Sequence, residues 1–121
     1  MKVMDIIDRV DMMEPNQYSP EQKIRWLSTL DGKIFEEVIR THEGQTVENF
    51  TPYVNGNEEL IIGDPYGEDI YYNYLQMKIA QENSEANRYN RRATMFSSLY
   101  QEWVNYYNRT HLPRRTGLQF I

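Results

Sequence analysis

Residues 75–107 read LQMKIAQENSEANRYNRRATMFSSLYQEWVNYY, and this stretch decides the architecture. Leu75, Ile79, Glu82, Ala86, Tyr89, Ala93, Phe96, Tyr100, Trp103 and Tyr107 recur in alternating steps of four and three. That spacing lines side chains along one seam of an α-helix. Glu82 is the charged exception, and Asn83-Ser84 directly after it has the lowest helix propensity in the run. We therefore expect two helices that turn at Asn83-Ser84. A single rod would leave a long aromatic face with too few residues to cover it.

Working outward, Gly63-Asp64-Pro65 reads as the start of the first of these helices, with Asp64 as cap and Pro65 in the first turn. Pro113 ends the second, and residues 112–121 form a tail that finishes in Leu118, Phe120 and Ile121. Upstream, Val3, Ile6, Ile7, Val10 and Met13 form one apolar stripe interleaved with Asp5, Asp8 and Asp11. This predicts a short amphipathic helix, closed at Glu14 because Pro15 disfavours a helical residue before it. Ser19-Pro20-Glu21-Gln22 combines a capping serine, a proline at the first helical position and the glutamine of a capping box. A second helix follows, from Pro20 to about Arg40, bent where Asp31-Gly32 interrupts it. Residues 41–63 are polar and lack a helical period. Asn55-Gly56, between Phe50–Val54 and Leu60–Ile62, is a type I′ turn dipeptide, so this stretch reads as a loop or a small hairpin. The expectation is all-α: one domain over residues 1–121, a bundle of three to four helices with a long loop between the second and third.

Composition narrows the chemistry. There is no cysteine, hence no disulfide and no thiolate metal site. No run of about 18 apolar residues could cross a bilayer, and Met1–Ile6 lacks the apolar core of a secretory signal. The two histidines, His42 and His111, have no partner at helical spacing and read as solvated surface residues. Asp64, Glu68 and Asp69 lack the ligand spacing of a calcium loop, and acidic residues in a first helical turn are accounted for by the helix dipole. Neither a serine-nucleophile elbow nor a phosphate loop is present. The expectation is a protein that is not an enzyme and needs no cofactor.

Charge and aromatics point instead to contacts. Residues 84–121 hold six arginines against two glutamates, which leaves a surplus of four positive charges. The total of −5 then assigns −9 to residues 1–83. Opposed ends of this kind can attract copies of the chain or charged partners. Arg88, Arg91 and Arg92 beside Tyr89 form a candidate nucleic-acid patch, although the pI of about 5.0 is unlike that of such domains. Tyr66, Tyr71, Tyr72 and Tyr74 spread over more than one side of their helix, and Tyr106 and Tyr107 do likewise. No single core can cover them all, so they are candidate interface residues. Tyr66, Tyr71, Tyr72, Tyr74, Tyr106, Arg109, Arg114, Arg115, Leu118 and Phe120 make up the expected protein-contact set.

Several segments resemble a family. Pro15-Asn16, Ser19-Pro20-Glu21-Gln22-Lys23 and Trp26-Leu27 are one group. Pro65-Tyr66 with Tyr71, Tyr74 and Leu75 are a second. Tyr89-Asn90, Met95-Phe96 and Tyr107-Asn108-Arg109 with His111 and Pro113 are a third. Together they resemble the small head–tail connector proteins, also called adaptor or head-completion proteins, of phages and prophages of Gram-positive bacteria. The resemblance spans most of the chain outside Thr41–Ile62 and departs from the family at Asn90-Arg91-Arg92. It implies a helical subunit that forms a ring, of dodecameric kind, between portal and tail proteins. DNA would pass through it as cargo, with no membrane involved, in the host cytoplasm and then at the head–tail junction of the virion. The competing expectation is a phage-encoded cytosolic nucleic-acid-binding or regulatory protein that uses Arg88, Arg91 and Arg92.

Overall fold

The computed structural model describes residues 1–42 and 49–111. Within these lie four α-helices: α1 (Val3–Met13), α2 (Pro20–Ile34), α3 (Gly67–Glu82) and α4 (Ala86–Thr110). α1 begins where the Lys2 amide donates to the Asp5 carboxylate at 2.9 Å, which relieves one of the helix's free donors. It buries Val3, Ile6, Ile7 and Val10. Met13, expected on the same stripe, is instead 60% exposed, because the helix ends there and Glu14 turns into extended backbone.

α2 starts as expected, with the Ser19 hydroxyl accepting from the Gln22 amide at 3.1 Å. It does not break at Asp31-Gly32. The last stretch, Phe35–Ile39, winds as a π-helix and buries Phe35, Val38 and Ile39. The departure from α-helical winding thus comes a few residues after Gly32, as a wider turn. Lys23 is buried in the first turn of α2, where its ammonium donates to Asp11 at 2.6 Å and to the Tyr18 carbonyl at 2.7 Å. A buried cation is tolerable only with such partners.

The segment from Phe50 to Ile62 is a loop laid along the start of α1, and it forms no hairpin. The amides of Val3, Met4 and Leu60 bond to the carbonyls of Glu58, Gly56 and Met1, each at 3.0 Å. The Glu58 carboxylate accepts from Val54 at 2.6 Å and from Gly56 at 2.8 Å. These backbone bonds, that from Val54 foremost, hold its pKa below the usual carboxylate value. Asn55-Gly56 is therefore folded around a carboxylate, and its strands have no partner in each other. Leu60 and Ile62 are buried. Asp64 does not cap α3. Tyr66 stands at the N-cap with no side-chain bond, and the helix enters so close to the loop that a Cβ on Gly67 would lie 2.1 Å from the Ile62 carbonyl oxygen.

α3 and α4 form a helical hairpin that turns at Asn83-Ser84, with Ser84 at φ 60°. α3 is the central helix: it buries Ile70, Tyr71, Leu75 and Ile79 against α1 and α2, and packs along α4 on its other side.

Candidate assembly surface

α4 is the unusual element. It runs for 25 residues and only Trp103 among them is buried. It leans on α3 through a row of rings: Tyr74 to Phe96 at 5.3 Å, Phe96 to Tyr100 at 5.7 Å, Tyr100 to Trp103 at 6.0 Å and Trp103 to Tyr107 at 5.3 Å. Offset and tilted rings at these separations attract one another beyond the area they bury. Desolvation by partial burial raises the phenol pKa values of Tyr74, Tyr100 and Tyr107 above the ordinary value.

The ends of this helix are pinned by polar contacts. The Arg88 guanidinium reaches Glu14 just after α1, Glu85 at the turn and the buried Gln76 of α3. Arg92 donates to Asn73 at 3.0 Å and lies 5.6 Å from the Tyr72 ring centre. Arg9, paired with Glu68, lies 4.7 Å from the same ring. At the far end the His42 ring is buried rather than solvated. Its Nδ1 donates to the Val38 carbonyl at 2.6 Å, and its Nε2 lies 2.8 Å from the Asn108 side-chain oxygen. Tyr107 stands between His42 and His111, stacked on the latter at 3.9 Å.

The expected contact residues divide accordingly. Tyr71 does not belong to a contact surface. It is wholly buried, its hydroxyl donates to Asp31 at 2.6 Å and accepts from the Ile62 amide at 3.0 Å. Burial and the neighbouring Asp31 raise its pKa well above the usual phenol value. Tyr66, Tyr72 and Tyr74 are half-buried by α4 and by arginine stems, so the hairpin itself covers much of what the sequence leaves uncovered. Tyr106, 38% exposed, stacks on Tyr66 at 5.1 Å, and Arg109 is exposed. Arg114, Arg115, Leu118 and Phe120 lie outside the described residues.

Sequence reasoning missed two features. The first is Asp31, buried in α2 and bonded by Tyr53, Tyr71 and the Ile61 amide. Desolvation raises its carboxyl pKa, against the pull of those three donors. The node ties α2, α3 and the loop together, and its carboxylate is sealed from solvent. The second is the outward line of α4. Arg91, Met95, Ser98, Glu102, Tyr106 and Arg109 are all exposed and succeed one another at steps of three and four. The signal was present in the same period that located the seam, one face away.

An open groove of about 650 Å³ runs between α2 and the loop, past Glu21, Arg25, Ser28, Phe50 and Val54. On its wall the Ser28 hydroxyl accepts from the Tyr53 amide at 3.0 Å. Among the described residues no three His, Asp or Glu side chains converge as metal ligands, and no helix is long and apolar enough to cross a membrane. Comparison with protein-family models, with curated proteins and with solved structures finds no match to this chain.

Proposed function

We propose that this chain is a structural assembly subunit, of the phage head–tail connector kind, that forms a ring between portal and tail proteins. The observation that carries the reading is α4: a 25-residue helix with a single buried residue, packed along α3 and, among the described residues, exposed along the line from Arg91 to Arg109. A helix so long and so lightly covered gains most of its burial from a neighbour. The segment resemblance supplies the kind of assembly, and the exposed Met95 and Tyr106 supply contact chemistry.

The nucleic-acid reading draws no such support. Of its three arginines, Arg88 and Arg92 are engaged inside the chain, which leaves Arg91 alone to meet a phosphate. One cation gives little counterion release and therefore little affinity.

The test is to mix the purified protein with portal and to measure mass in solution and ring formation by electron microscopy. The expected result is a ring on the portal, weakened by deletion of residues 118–121 with little change in the thermal transition of the subunit. A protein that ignores the portal, or that binds DNA with steep salt dependence, overturns the reading.

A further inference from the structure

The outward line of α1 carries Asp5, Asp8 and Met12, one turn apart. Met12 is 78% exposed, the neighbouring Met13 is 60% exposed, and Asp8 has no ion-pair partner among the described residues. The cation nearest in sequence, Arg9, is already held by Glu68. An anionic rim therefore borders two bare methionines. The outward line of α4 carries the complement. Arg91 has no ion-pair partner among the described residues, and Met95, one turn on, is 50% exposed. In both helices the charge precedes the methionine by four residues.

Resting on the ring-subunit reading, we propose that the neighbour in that ring is a second copy of this chain whose α1 docks on α4, the two helices running in the same direction. Asp8 then faces Arg91 and Met12 faces Met95. Methionine suits such a contact because its unbranched thioether adapts to the surface it meets. Glu102, the carboxylate on the α4 line, lies 11 residues from Arg91, roughly 16 Å along the helix, and stays clear of Asp8. Because the two patches differ, each copy keeps one of each kind free after a contact forms. The contact is heterologous, and it propagates until the rotation between neighbours closes a ring. One helix face covers less than the roughly 800 Å² per partner of a standard interface, so pairwise association is weak, about micromolar or weaker, and sensitive to salt.

Sedimentation velocity on the full chain tests this, read against concentration and salt for wild type, Asp8→Arg, Arg91→Asp and an equal mixture of the two variants. Both positions are exposed, so the fold should survive, which circular dichroism checks. Alone, each variant sets like charges against each other and should weaken association by about tenfold or more. In the mixture Arg at position 8 meets Asp at position 91, while Asp8 still meets Arg91, so association should return. A wild type that stays monomeric at all concentrations overturns the contact. So do variants that associate like wild type, or a mixture that fails to recover. Portal binding is read separately. Self-association with rescue but without portal binding removes the connector reading and leaves the contact standing, and portal binding untouched by either variant does the reverse.

Discussion

Asp31 shows what one residue does in this fold. Its carboxylate takes hydrogen bonds from two phenols and an amide that belong to the loop and to α3, and it stands wholly inside. Replacing it with alanine removes the acceptor of the buried Tyr71 hydroxyl and of the part-buried Ile61 amide, while the Tyr53 hydroxyl keeps the Glu59 carbonyl at 3.2 Å. Unsatisfied donors cost about 1–3 kcal/mol each before relaxation, so Asp31→Ala is expected to lower stability by about 3 kcal/mol or more in denaturant unfolding. The pH dependence has a definite sign. Desolvation raises the folded-state pKa of this group above its unfolded value of 3.8, so the folded chain holds the proton more tightly. Its contribution to stability therefore grows as pH falls through the folded pKa and is complete below the unfolded one. The difference in stability between wild type and Asp31→Ala should widen toward acid pH; a difference that narrows there would mean the three donors outweigh desolvation.

At the scale of elements, the join between loop and α3 is the tightest place in the chain. Gly67 enters its helix against the Ile62 carbonyl, at a distance no side chain permits. Gly67→Ala must push α3 away from the loop, at an expected cost of about 1–3 kcal/mol despite alanine's better helix propensity, with the thermal midpoint as readout. An unchanged or raised midpoint would show that the loop yields freely. The start of α2 and the α3–α4 turn were legible because their signals are local: Ser19 and Pro20 act within one turn, and Asn83-Ser84 breaks a seam of regular period. The loop was not, since its shape is imposed from a distance. Val3, Met4 and Met1 bond to Glu58, Gly56 and Leu60, more than fifty residues away, and override the hairpin preference of Asn55-Gly56. Tyr71 misled for a related reason: its ring phase suggested a surface, while its hydroxyl had a buried carboxylate waiting on another helix. Of the proposed contact residues, Tyr106 and Arg109 are exposed as expected, whereas Met12, also exposed, lies off the apolar stripe by which α1 was read.

The molecule as a whole is unevenly held. α1, α2, α3 and the loop share one core, and α4 lies on α3 through half-buried rings, with Trp103 its deepest anchor. Polar ties at Arg88 near one end and Asn108 at the other add contacts that water can replace. Segments with little burial open on their own, below the free energy of global unfolding. Amide hydrogen exchange in the free protein should therefore be at least about tenfold faster over residues 93–106 than over residues 70–79. Assembly should reverse the contrast. If a neighbour covers the outward line of α4, the slowing on ring formation is concentrated there, and α3, already enclosed, changes little. Equal exchange in the two helices of the free chain would make the hairpin one cooperative unit. Unaltered α4 exchange in the assembled state would place the contact on another face, and the docking of α1 against Arg91 and Met95 would fall with it.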